Sequence, residues 1–229
     1  MFDLQGYGLS ILDGALLTIE VALASLACAT VLGMLGAFAK LSKSRLARTA
    51  ASVYTTIIRG VPDLVMMLLI FFGGQMLVNN LTARFGYDGY IDIDPFIAGV
   101  ITIGFIYGAY MTETFRGAIL AVPAGQMEAG YAFGMSRGLV FRRILLPQMM
   151  RHALPGLGNN WLVLLKTTAL VSVIGLDDMV RKATLAAGAT RLPFTFHLVV
   201  ALGFLAFTTV SVLLLRWAEQ RYSVGVRRD

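Results

Sequence analysis

The stretch Leu64-Val65-Met66-Met67-Leu68-Leu69-Ile70-Phe71-Phe72-Gly73-Gly74 runs without a charged or strongly polar side chain. Widened to about 52–78 it is long enough to cross a bilayer, whose hydrocarbon core of roughly 30 Å takes about 20 apolar residues in a helix. No backbone N–H or C=O can stay unpaired in lipid, so such a stretch is helical. Four more stretches pass the same test, at about 12–39, 95–115, 153–176 and 194–217. The first contains Glu20, the fourth contains Asn159, Asn160 and Lys166, and the last ends near Trp217 and Tyr222, residue types that anchor helices at the interface. The whole chain agrees, with 57% apolar and 14% charged residues among 229. The sequence therefore predicts an all-α integral membrane protein of five spans, with 1–229 forming one transmembrane domain.

The net charge of +6 would suggest nucleic acid in a soluble chain, but its placement gives a different account. Lys40, Lys43, Arg45 and Arg48 lie between spans one and two. Arg116, Arg137, Arg142, Arg143 and Arg151 lie between three and four, and Arg216, Arg221, Arg227 and Arg228 follow span five. The alternate connections carry Asp13, Asp92, Asp94, Asp177 and Asp178, with Asp3 and Asp88, against only Arg84, Arg181, Lys182 and Arg191. The positive-inside rule then puts the N-terminus outside and the C-terminus in the cytoplasm, which needs an odd number of spans. A lipid bilayer, and no nucleic acid, is the partner this pattern implies.

Several kinds of chemistry are excluded. Cys28 is the only cysteine, His152 and His197 are far apart, and no metal-ligand spacing occurs. There is no P-loop, no nucleophile elbow and no dinucleotide fingerprint. Nothing basic precedes Lys40, so the start lacks the n-region of a cleavable signal peptide. An enzyme is not expected. Gly104 and Gly108 have G-x-x-x-G spacing, for which packing within the chain is a better account than a dimer seam.

The connection at 117–152 is too long for a passive turn. Its residues Met127 to Phe133 form a short helix, Gly134 permits a sharp change of direction, and Arg137 to Leu145 make a second amphipathic helix that Pro147 closes. Phe141, Ile144 and Leu145 form its apolar side, and Arg137, Arg142 and Arg143 its basic side. Such an element could lie on headgroups or dock into a partner's groove.

Glu128-Ala129-Gly130, Gly134 and Ile144-x-Leu146-Pro147 resemble the E-A-A-x3-G-x9-I-x-L-P loop of membrane subunits of bacterial ABC importers, with Gly130 for the second Ala. In that family the loop holds the coupling helix that engages the ATP-binding subunit, and Gly for Ala is a small-for-small change. The resemblance extends through Arg59-Gly60-Val61-Pro62-Asp63, Tyr110-Met111-Thr112-Glu113-Thr114-Phe115-Arg116-Gly117, Val122-Pro123-Ala124-Gly125-Gln126 and Leu157-Gly158-Asn159-Asn160 to Lys166-Thr167-Thr168-Ala169-Leu170-Val171-Ser172, which are similar to the polar amino-acid uptake branch. Ile91-Asp92-Ile93-Asp94-Pro95 and Arg221 to Val226 resemble the Q-type permeases of histidine, lysine, arginine and ornithine systems. The resemblance implies a type I importer permease fold in the bacterial inner membrane. It also implies an M-type second permease, two ATP-binding subunits that use ATP and Mg, a periplasmic amino-acid-binding protein, and no cofactor on this chain.

Charge inside a span costs a few kcal/mol unless paired or hydrated, so such residues are functional candidates. Gly60 and Pro62 interrupt span two beside Arg59 and Asp63, and Pro155, Gly156 and Gly158 interrupt span four before Asn159 and Asn160. Paired interruptions point to a midplane transport site. Arg59 and Asp63 are four apart and would form an intrahelical ion pair in a continuous helix. Alternatively Asp63 faces the path and pairs with a cationic substrate. Relatives often carry an apolar residue there, so an acid favours basic amino acids. Relatives also often have Glu where this chain has Asn160, and a heteromeric partner would supply that carboxylate.

Asn159, Asn160 and Tyr110 join Asp63 as substrate-contact candidates, with hydrogen bonding between packed helices as the alternative role of the two asparagines. Glu113 is a further one, although pairing with Arg116 is the first expectation for it, and Lys166 needs an acid such as Glu113 or Glu20, or a water-filled cavity. Met66 and Met67 are expected to face lipid or pack. The coupling candidates are Glu128, Ala129, Gly130, Gly134, Arg137, Phe141, Arg142, Arg143 and Pro147. A passive channel is the rival reading, needing symmetric assembly and no coupling loop. An intramembrane lipid transferase would need clustered carboxylates or histidines.

Overall fold

A computed structural model describes residues 4–87 and 89–222. Asp3, Asp88, Arg227, Arg228, the motif residues after Tyr222 and the side chain of Tyr222 itself lie outside the described residues. Every regular element described is a helix. α1 is Gly8–Leu41, α2 Arg45–Gly60, α3 Asp63–Arg84 and α4 Pro95–Leu120. The short α5 (Ala124–Ala132) and α6 (Arg137–Val140) follow, then a π-helical turn at Phe141–Leu145. α7 is Leu146–Thr167, continued by a 3-10 segment at Thr168–Ile174, and α8 (Met179–Thr190) and α9 (Pro193–Tyr222) complete the order. Among the described residues five helical stretches are long and apolar enough to span a membrane.

The tightest packing is between α1 and α4. A Cβ on Gly33 would meet Met111, and one on Gly36 would meet Thr112. A Cβ on Gly104 would meet Cys28 Sγ at 2.6 Å, and one on Gly108 would meet Leu32 Cβ at 2.9 Å. Gly104 and Gly108 thus serve packing within the chain, where small residues let backbones approach without a hydrophobic driving force. Asp94 caps α4 through the Ile97 N–H at 3.0 Å, with Pro95 in the first turn. A smaller apolar cluster of Ile11, Met179, Ala183, Ala186 and Phe196 joins α1, α8 and α9.

Three local expectations change. The stretch 52–78 is two helices, because Pro62 lacks an N–H and forces Val61 into extended geometry (φ −109°, ψ 138°), so the spanning helix begins at Asp63. Span four does not break at Pro155, which lies inside α7. Its glycines instead admit neighbours. A Cβ on Gly156 would meet Thr114 Cγ2 at 2.8 Å, and one on Gly158 would meet Leu215 Cδ1 at 3.2 Å. The irregularity of that span falls at Thr168–Ile174 and ends in left-handed Gly175 (φ 99°). Finally, Pro147 does not close the second loop helix. It occupies the first turn of α7, where its missing N–H is harmless, and helix runs on from the π turn.

Candidate functional site

The two irregular points of the spans meet at one side chain. Tyr107, buried on α4, shares a hydrogen bond with Thr167 Oγ1 at 2.6 Å and lies 3.3 Å from Asp63 Oδ2, to which its hydroxyl donates. Asp63 opens α3 and Thr167 closes α7, so the Tyr107 hydroxyl ties the break in span two to the change of helix type in span four. Sequence reading passed over Tyr107. The available signal was a phenol three residues before Tyr110 in an otherwise apolar run. The Tyr110 ring lies 5.5 Å from that of Tyr107, and the Arg59 guanidinium stands over it at 5.4 Å from the centroid. Arg59 and Asp63 form no ion pair, because they belong to different helices.

Toward the α1–α2 connection this cluster opens into a cavity of about 1060 Å³, lined among others by Lys40, Arg48, Thr55, Arg59, Tyr110 and Glu113. Glu113 is shared by Lys40, which reaches it across the helices, and by Arg116 Nε at 2.9 Å. Lys40 also donates to Thr55 Oγ1 at 2.6 Å. Both oxygens of Glu113 are therefore engaged within the chain. Lys166 is exposed on α7 and forms no ion pair with Glu113, Glu20 or any other described residue.

The two asparagines diverge. Asn160 donates to Thr114 Oγ1 at 3.0 Å, fastening α7 to α4. Asn159 is exposed and lines a small groove of about 230 Å³ against α9, with Leu215 and Arg216. The structure does not bring Asn159 to Asp63. Met66 and Met67 are buried packing residues.

In the loop, Gly134 takes φ 76°, which only glycine adopts freely, and turns α5 back upon α6. Gly130 is buried, and Leu145 with it. Ile144 Cδ1 and Val140 Cγ2 press on Gly130, and Phe141 meets Phe38 of α1 edge-on at 5.8 Å. Glu128, Ala129, Arg137, Arg142, Arg143 and Pro147 are exposed. So are Tyr131 and Phe133, the latter 88% exposed, and sequence reading gave neither a role.

Residues 29–224 match the family model described as the binding-protein-dependent transport system inner membrane component. The chain belongs to this family. The permease is 56% identical to the histidine/lysine/arginine/ornithine transport system permease protein HisQ of Escherichia coli K12, over 98% of each chain. It is 44% identical to the octopine transport system permease protein OccQ of Rhizobium meliloti, over 99% of this chain and 96% of that one. Its fold matches a crystal structure of an amino acid ABC transporter with histidines, with TM-score 0.77 and 32% identity over 94% and 95% of the two chains. Inward-facing MetNI methionine ABC transporter structures share the fold at TM-score 0.63 and 16% identity. The permease is thus a multi-pass inner-membrane subunit of an amino-acid ABC importer with a type I permease fold. It does no covalent chemistry, and ATP hydrolysis belongs to a separate subunit. The channel and lipid-transferase readings fall away.

Proposed function

We propose that this permease carries basic amino acids, or opines built from them, and that Asp63 recognises their cationic group. The observation that carries this reading is Asp63 at the break between α2 and α3, an acid that no cation of its own chain neutralises among the described residues. Uptake of histidine, lysine, arginine, ornithine and octopine is named for its relatives and supports the same chemistry. Tyr110 and Asn160 complete the contact set on this side, Tyr110 beside the cluster and Asn160 on the α4 face of α7. Glu113 holds the cavity's cations in place, and Asn159, in the groove against α9, stays outside this contact set.

The N-terminus is periplasmic and the C-terminus cytoplasmic in this reading, with the 117–152 loop inside. A second permease of the M type covers the exposed face of Lys166 and supplies the carboxylate that Asn160 lacks. Two ATP-binding subunits, using ATP and Mg, receive the loop. Glu128, Ala129, Gly130, Gly134, Arg137, Phe141, Arg142, Arg143 and Pro147 shape or face that contact, with Phe133 as its apolar plug. A periplasmic binding protein delivers the substrate.

The test copurifies the partners, reconstitutes the assembly in liposomes and measures which amino acids stimulate ATP hydrolysis. Arginine, lysine, histidine or ornithine are expected to stimulate, and preparations lacking the second permease to be inactive. Asp63→Asn is expected to raise the concentration of arginine needed about tenfold or more, the worth of a lost charge-assisted hydrogen bond. Stimulation at wild-type concentrations by Asp63→Asn would remove Asp63 from the site.

A further inference from the structure

Arg216 and Glu219 are three residues apart on α9, the spacing at which opposite charges ordinarily pair across a helical turn. Here they do not pair. No carboxylate lies within 4.0 Å of the Arg216 guanidinium among the described residues, and the side chains of Arg216, Glu219 and Asn159 make no hydrogen bond to them. All three line the groove of about 230 Å³ between α7 and α9. A cation, an anion and a neutral amide thus share one groove and leave their polar atoms to something outside the chain, which polar groups on the outer face of a span require. Asn160, one residue on, shows the contrast, since its amide is taken by Thr114.

The groove has an order along its length. A Cβ on Gly158 would lie 3.2 Å from Leu215 Cδ1, which puts Asn159 at the level of Leu215 and Arg216. From there Leu162 and Val212 line the groove toward the middle of the two spans. Glu219 lies the other way, about 4.5 Å beyond Arg216 along the axis at roughly 1.5 Å per residue. From the end of the bundle inward the order is anion, cation, amide, apolar wall. One class of phospholipid carries the complements in the same order, namely primary ammonium, phosphate, glycerol ester carbonyls and acyl chains. Glu219 accepts from the ammonium, the Arg216 fork takes two phosphate oxygens, and Asn159 donates to an ester carbonyl. An anionic headgroup without the ammonium would leave Glu219 beside a like charge, and a trimethylammonium has no N–H to give it.

We propose that the groove between α7 and α9 binds one phospholipid with a primary-ammonium zwitterionic headgroup, phosphatidylethanolamine, through Glu219 on its ammonium and Arg216 on its phosphate. In the orientation given above this is a lipid of the cytoplasmic leaflet, where basic pockets between helices take lipid headgroups. Lys166, whose face is assigned to the second permease, lies seven residues and about 10 Å further along α7 from Asn159.

The test uses the complete complex with its partner subunits, stripped of lipid in detergent and titrated with phosphatidylethanolamine, phosphatidylcholine or phosphatidylglycerol of identical acyl chains. Native mass spectrometry counts the lipids retained, and each variant is read against wild type so that lipid sites elsewhere in the complex cancel. In detergent the readout does not depend on which leaflet the groove faces. Wild type is expected to prefer phosphatidylethanolamine. Glu219→Gln should weaken that lipid about tenfold or more, the worth of a lost charge-assisted hydrogen bond, and leave phosphatidylglycerol as tight as before or tighter. Arg216→Gln should weaken both, and Arg216→Lys should keep part of the binding.

Equal retention of the three lipids by wild type would overturn the proposal. So would unchanged phosphatidylethanolamine binding in either Glu219→Gln or Arg216→Gln, the result expected if the second permease fills the groove instead. Should Arg216→Gln fail to assemble, Glu219→Gln and Arg216→Lys still decide.

Discussion

Gly130 stands where the resembling loop pattern has alanine, and the structure shows what the missing methyl leaves room for. A Cβ there would lie 2.6 Å from Ile144 Cδ1 and 3.0 Å from Val140 Cγ2. The first is the far end of a flexible side chain, so Gly130→Ala is tolerated at a cost of about 1 kcal/mol. Trimming the neighbour with Ile144→Val should recover most of it. Melting temperatures of the two single variants and the double variant measure this, and additive losses would show that the residues do not share the space. Asp178 presents a different residue-scale problem. It is fully buried, its Oδ1 accepts the Arg181 N–H at 3.0 Å, and its Oδ2 has no partner. Burial pushes the carboxyl up to about 6, against the opposing pull of backbone N–H groups. The folded state therefore binds the proton more tightly than the unfolded chain, whose carboxyl titrates near ~3.9. Stability is expected to rise as pH falls through about 6, by about 1 kcal/mol between roughly pH 7.5 and 5. Asp178→Asn keeps the capping oxygen and should lack this dependence when melting is followed across that range.

At the scale of elements, the α1–α4 crossing depends on glycine in a way that α3 does not. A Cβ on Gly33 would run into Met111 and lie 3.0 Å from its backbone carbon, which cannot step aside as a side-chain tip can. Gly33→Ala is expected to cost about 2 kcal/mol or more and to lower the fraction of protein surviving heat on size-exclusion chromatography. Gly73→Ala on α3, with nothing within 4 Å, is the matched control and should survive as wild type does. The glycine pair Gly104 and Gly108 and the apolar lengths of the helices were legible because both signals are local. So was the turn at Gly134. Tyr107 was not legible, since its partners Asp63 and Thr167 are 44 and 60 residues away in sequence. The Lys40–Glu113 contact spans 73 residues, and a lysine at the end of a span reads equally well as a topological signal. Pro155 misled for a related reason. Whether a proline breaks a spanning helix depends on the neighbours around it, and here α4 and α9 pack against the glycines beside it.

For the whole molecule, the site and the loop occupy opposite stretches of one continuous framework. α4 carries Tyr107, Tyr110 and Glu113 and leads into α5, while α7 runs from the π turn up to Thr167. In the coupling proposed above, movement imposed on the loop would have two helices to follow toward the Tyr107 hydroxyl, helices that Asn160 and Thr114 hold together at 3.0 Å. The spans contribute to this framework very unequally. The core window of α4 is 61% buried inside the chain and that of α9 only 6%. Over generations the two helices are therefore held to different standards. Apart from positions such as Phe196, Val200 and Leu215 that pack on neighbouring helices, substitutions in α9 need to preserve little more than its affinity for lipid, so those other positions are free to drift among Leu, Val, Ile and Phe. Those in α4 must also preserve the volume and outline of nearly every side chain, which leaves that helix few neutral changes to accept.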